Sequence, residues 1–163
     1  MKNVLILLFT VLFFQNIILA KDNSIKFPVF TLLKMDSIST LSNTDISLQK
    51  NTIFINFSPT CDHCERTIKS ILENINKFTE TQIILSSFED FGLIRKFYFD
   101  NGLSSFTNVF VGQEIDYNLT KQIKYSSFPC IIIFDKNQQF IKKIDEETNA
   151  KYLLKVLHIK NKN

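Results

Sequence analysis

The sequence predicts an α/β protein, a central mixed β-sheet flanked by helices on both faces. Three observations carry that expectation. Residues 52–57 and 130–134 are short and almost wholly apolar with no in–out alternation, as strands buried on both faces must be. Longer segments between and after them place apolar residues at three- and four-residue steps, the period of a helix lying on a core. The two kinds of segment alternate along the chain, and such alternation packs as a sheet covered by helices.

A chain of 163 residues, 45% hydrophobic and 21% charged, fits one ordinary globular domain. Its formal net charge of +3 is too small a surplus for a nucleic-acid surface. Three Gly and three Pro exclude flexible or polyproline linkers and the many turns of an all-β chain.

The first twenty residues read apart from the fold. Lys2 is the only charge before Lys21, residues 4–14 are apolar except for Thr10, and Ala20 closes the segment on a small residue. This is the layout of a secretory signal over residues 1–20, which leaves 21–163 as one exported domain in the periplasm or cell envelope. An uncleaved membrane anchor is the weaker reading, because the run falls short of the ~20 apolar residues that span a bilayer.

Residues 27–33 read as an edge strand that tolerates Pro28 at its start. Residues 41–50 are mostly polar and form a turn or short hairpin. Residues 52–57 are the first buried strand, which stops at Ser58-Pro59. Cys64, Ile68, Ile71, Leu72, Ile75 and Phe78 then share a helical face, with Glu65, Lys69, Glu73 and Lys77 on the others. Residues 82–85 are a strand, and 88–100 a helix stopped by Asn101-Gly102. Residues 106–111 are a strand and 114–125 a weaker helix. Residues 130–134 and 139–144 pair as a hairpin. Tyr152, Leu153, Val156, Leu157 and Ile159 line a last helix.

Three cysteines, Cys61, Cys64 and Cys130, cannot staple a scaffold. A chain of this size needs no staple, since it buries roughly two-thirds of its unfolded surface. Cys61-Asp62-His63-Cys64 stands where the first buried strand hands over to a helix. The first helical turn carries unpaired N–H groups and the positive end of the helix dipole. A thiolate at Cys61 is favoured there, and the spacing brings Cys64 within reach of the same sulfur, so the pair can close into a disulfide and reopen. His63 strengthens that thiolate as a neighbouring cation, and Asp62 opposes it. Such tuning moves the potential by ~30 mV for every ~1.4 kcal/mol. Cys130 is either a third thiol able to approach the pair or small buried filling in its strand, as free Cys commonly is. Zinc is disfavoured, because four ligands are needed and only Cys130, His63 and His158 remain, with no second C-x-x-C.

Ser58-Pro59-Thr60 leading into Cys61-Asp62-His63-Cys64, and Phe128-Pro129-Cys130 directly before a strong strand, resemble the thioredoxin superfamily. The strand and hairpin ahead of the cysteine-bearing strand, and the long insert before Pro129, resemble its secreted TlpA/ResA-like branch. The likeness runs over about residues 25–160. It implies a thioredoxin fold with an extra N-terminal strand or hairpin, and a thiol–disulfide oxidoreductase with no bound cofactor or metal. Cys61 would be the exposed nucleophile, Cys64 the partly buried resolving thiol, and Pro129 a cis residue facing the pair. Thr60, Phe128 and Pro129 would line the substrate groove, with the Phe128 backbone pairing to the substrate chain. Partners would be protein thiols and disulfides, and a redox partner protein, with membrane-embedded ones among the candidates.

The chain departs from the superfamily at four places. Thr60 stands where many relatives have Trp, Ile55 where thioredoxins have a buried Asp, Thr67 where ResA-like reductases have Glu, and Phe128 where Thr or Val is common. The carboxylate helpers for deprotonating Cys64 are thus missing at both known positions, and the helical phase of Glu65 points it away. The alternative reading is a non-catalytic thioredoxin-like module holding a protein partner or copper(I), which soft thiolates select. A static disulfide is the third.

Overall fold

The computed structural model describes residues 25–160, so the expected signal segment, residues 1–20, lies outside the described residues. Among them the strands are β1 (Thr31–Leu33), β2 (Thr40–Ser42), β3 (Asn51–Asn56), β4 (Thr81–Ser87), β5 (Val109–Glu114), β6 (Cys130–Phe134) and β7 (Phe140–Ile144). They form one sheet in the order β2-β1-β5-β4-β3-β6-β7. β3, β4 and β5 run parallel, β6 is antiparallel to β3 and β7 to β6, and β1 is antiparallel to both β2 and β5. The helices are α1 (Asp62–Leu72), α2 (Phe91–Asp100), α3 (Asn118–Gln122) and α4 (Ala150–Lys160). The mixed sheet flanked by helices is the architecture expected from the sequence.

Every residue of β3, β4 and β6 is buried, which is why these segments carry apolar runs without alternation. Successive residues feed opposite cores. Ile53, Ile55 and Phe57 pack with Cys64, Ile68 and Ile71 of α1, Ile94 and Phe97 of α2, and Leu153 and Leu157 of α4. Phe54, Ile84, Ile132 and Phe134 pack with Leu119 of α3 and with Phe30 and Leu32 on the other face. There the Phe54 ring lies 5.6, 5.3 and 6.0 Å from those of Phe27, Phe30 and Phe134. Each such pair adds roughly 0.5–1.5 kcal/mol beyond burial.

The strand expected over 27–33 is shorter and is not at the edge. Only Thr31–Leu33 join the ladder, between β2 and β5, and β2 forms the edge. Side chains hold the residues before it. Asn43 Nδ2 donates to the Pro28 carbonyl while Asn43 Oδ1 accepts from Phe30 N–H, and Gln122 serves Val29 in the same way. These bonds satisfy the backbone without a neighbouring strand.

The strand expected over 106–111 runs Val109–Glu114 instead. Asn108 sets its start: the side chain donates to the Phe78 and Thr81 carbonyls, and the backbone carbonyl accepts from Ile83 N–H. The strand continues through Gly112, where a Cβ would stand 2.5 Å from Leu32 Cβ, so no larger residue fits without repacking. It ends at buried Glu114, whose carboxylate accepts from the Thr120 N–H and hydroxyl. The helix expected over 114–125 therefore shrinks to Asn118–Gln122, with Ile123 already extended. No helix among the described residues is long and apolar enough to cross a membrane.

Candidate active site

Phe57 N–H still bonds the Ser86 carbonyl past the end of β3, and then the chain turns. Ser58 O accepts from Cys61 N–H at 3.1 Å, and the Ser58 and Thr60 hydroxyls share a hydrogen bond at 3.2 Å. Cys61 is the N-cap of α1, in extended conformation (φ −95°, ψ 113°), and its carbonyl accepts from Glu65 N–H. Its sulfur takes the place of a capping oxygen and accepts from Cys64 N–H at 3.4 Å. That donor and the helix dipole both favour negative charge on Cys61 Sγ.

Cys61 is half-buried, whereas Cys64 is 0% exposed, and both are free thiols. Burial, and next the adjacent Cys61 thiol, pushes Cys64 up to about 12. The two sulfurs therefore differ in kind. One is reachable at a helix N-terminus, and the other is shielded and held as a thiol. Thr60, Asp62 and His63 are exposed around them. Asp62 and Cys61 both lie close enough to Arg66 to act on its charge.

His63 Nδ1 lies 2.6 Å from Glu147 Oε2, and Arg66 grips the same carboxylate with two hydrogen bonds. Arg66, and next His63, holds the Glu147 carboxyl down to about 2. Thr67 is buried, and its hydroxyl accepts from Thr148 N–H at 3.2 Å. Ile55 lies in the apolar core beside Cys64.

The Phe128–Pro129 peptide bond is cis. Pro129 is buried, and Phe128 is half-buried at the margin of the core face that Cys61 also borders. The Phe128 ring lies 5.8 Å from Phe88 and 5.2 Å from Tyr125, and Phe88 lies 5.7 Å from Tyr117. Phe88, Tyr117, Tyr125, Arg66 and Glu147 are site candidates that the sequence does not mark. Arg66 stands one helical turn after His63, but the others come from separate segments, so no periodic signal joins the set.

Cys130 does not join the pair. It precedes Ile131 in β6, and its sulfur enters the opposite core, in register with Asn56 of β3. Burial, and next Asp145, pushes its thiol up to about 12. Burial works against charge on Asp145, but Lys143, Cys130 and Ser126 together hold its carboxyl below the usual range. Cys130 packs in the core on the other side of the sheet from the one that holds Cys64. Among the described residues, no three His, Cys, Asp or Glu side chains gather to hold a metal ion.

No protein-family model matches the chain, and no curated protein does. Solved structures do match. A candidate thioredoxin from Neisseria meningitidis, solved in solution, is 20% identical with a TM-score of 0.68, over 87% of this chain and 93% of that one. A thiol:disulfide interchange protein of the thioredoxin family from Chlorobium tepidum TLS is 13% identical with a TM-score of 0.67, over 86% and 98%. A secreted Mycobacterium tuberculosis disulfide oxidoreductase homologous to E. coli DsbE is 13% identical with a TM-score of 0.65, over 80% and 95%. At these identities the likeness shows the fold, and this chain has the thioredoxin fold.

Proposed function

We propose that the protein is an exported thiol–disulfide oxidoreductase of the TlpA/ResA-like kind, acting on envelope proteins through Cys61 and Cys64. One observation carries the reading. A half-exposed sulfur caps a helix and accepts a backbone N–H from a second, buried cysteine one turn on. The solved structures of the same fold described as a disulfide oxidoreductase and a thiol:disulfide interchange protein support it.

The chemistry follows from the two sulfurs. The Cys61 thiolate attacks one sulfur of a substrate disulfide. A new S–S bond forms, the old one breaks, and the departing thiolate takes up a proton. Cys64 then loses its proton and attacks Cys61 Sγ, which expels the second substrate thiolate. The substrate gains two electrons and two protons, and the pair is left as a disulfide. The same steps run backward when the pair oxidises a dithiol. A partner protein must restore the starting state, and membrane-embedded reductants or oxidants are the candidates. In this reading Thr60, Phe128 and Pro129 line the substrate groove, and the rings of Phe88, Tyr117 and Tyr125 gathered around Phe128 extend its apolar margin.

Replacement of Cys64→Ser removes the resolving step, so this variant traps covalent complexes with protein substrates. Gel mobility before and after reduction reads them out. A Cys64→Ser variant that forms no mixed disulfide, while the wild type binds copper(I) or a partner without turnover, overturns the oxidoreductase reading.

A further inference from the structure

We propose that Glu147 is a positioning residue for exchange at Cys61: it orients the His63 ring and decides which ring nitrogen carries the hydrogen. The inference rests on the oxidoreductase reading above.

A carboxylate paired with a guanidinium can only accept, and the guanidinium can only donate. His63 Nδ1 lies 2.6 Å from Glu147 Oε2 and 2.8 Å from Arg66 Nη2. It can donate to the first or accept from the second, but not both. Arg66 is already bonded to this carboxylate twice, Nε to Oε1 at 2.9 Å and Nη2 to Oε2 at 2.7 Å. A bare Nδ1 would turn its lone pair on a carboxylate oxygen at 2.6 Å, a contact between two acceptors. An Nδ1–H would stand 2.8 Å from Arg66 Nη2, a second donor, but Nη2 already turns to Oε2 at 2.7 Å, and the shorter contact is to the charged acceptor, so Nδ1 carries the hydrogen and donates it to Glu147. Nε2 becomes the nitrogen left to serve the thiols.

Orientation matters because His63 is 64% exposed, and a ring so exposed otherwise samples several rotamers. Glu147 is itself held in place. The Thr148 and Ala150 N–H groups bond the Thr67 and Ser70 hydroxyls of α1 at 3.2 and 3.1 Å. At the other end of the loop, Asp145 accepts from the Ser126 hydroxyl at 3.1 Å and, through its carbonyl, from the Ser127 hydroxyl. The segment 145–149 thus spans the cysteine-bearing helix and the loop that ends in Pro129, and it carries the His63 anchor between them. His63 Nε2 is then the nitrogen available to take the Cys61 proton before the thiolate attacks and to return it to the departing substrate thiolate, so charge and atoms balance over the step.

The test is a double-substitution cycle on the full chain, read as the rate of reaction with a small aromatic disulfide. Glu147→Gln lowers the rate about tenfold, the effect of one lost hydrogen bond to a charged group. In a His63→Gln background the same change alters the rate by under about twofold, because its influence runs through the ring. Nitrogen-15 spectra at alkaline pH report the tautomer directly, since the chain has only two histidines. They show one Nδ1–H form for His63 in the wild type and a mixture in Glu147→Gln. Equal losses in both backgrounds, or an unchanged tautomer, overturn the proposal. A wild type that reacts while Glu147→Gln reacts equally fast removes this inference alone. A wild type no faster than Cys61→Ser removes the oxidoreductase reading and this inference with it.

Discussion

Cys64 and Cys130 are the same residue, both almost fully buried, and both thiols are pushed up to about 12 chiefly by burial. They lie on opposite faces of one sheet. The difference between them is the kind of element each belongs to. Cys64 sits in the first turn of α1, where free backbone donors converge, and its own N–H reaches the Cys61 sulfur. Cys130 opens a strand paired on both sides, and its thiol meets the Asp145 carboxylate rather than a donor. Burial hides both thiols, but under the proposed function the helix N-terminus with a second sulfur beside it is what fits Cys64, and not Cys130, for exchange.

The sharpest way to break this comparison is to remove each thiol in turn. Cys61→Ser abolishes reaction with a disulfide, and Cys130→Ala leaves the rate within about twofold. A large rate loss in Cys130→Ala would place that thiol in the chemistry after all. Next in size is the core on the Cys130 side. Phe54→Ala removes a ring from its contacts with three others and costs about 3–5 kcal/mol, read as a lower denaturant midpoint with exchange intact in the folded fraction.

A third measurement sharpens the contrast on the Cys64 side. Its raised thiol must ionise before it can resolve a mixed disulfide, so resolution quickens as pH rises from about 6 to 9. A rate flat across that range would show that Cys64 is not the titrating thiol of that step. The smallest effect is on stability in acid. Glu147 is depressed to about 2 when folded, so its contribution is present above the unfolded carboxyl value of about 4.3 and fades as pH falls through about 2. The stability gap between wild type and Glu147→Gln is therefore small at pH 5, because the site is exposed, and vanishes near pH 2.

Which parts were legible in sequence follows the range of the forces involved. β6 begins and ends where its apolar run does, and α1 begins where Cys61 can cap it, because strand burial and helix capping are written in adjacent residues. β1 and β5 were misplaced because their limits are set by the side chains of Asn43, Gln122 and Asn108, which bond backbone groups far away in sequence. The cysteine pair could be read from spacing alone. Glu147, 84 positions from His63, could not.

By itself the sequence determined the alternation of strands and helices, the two-sided burial of the sheet centre, and a pair of sulfurs at a helix mouth. All are consequences of local period and local donors. Only the tertiary structure decided which face Cys130 enters, which aromatics gather around Phe128, and which carboxylate holds His63. Those depend on where loops distant in the chain come to rest once the cores have closed, and no spacing along the chain encodes that distance.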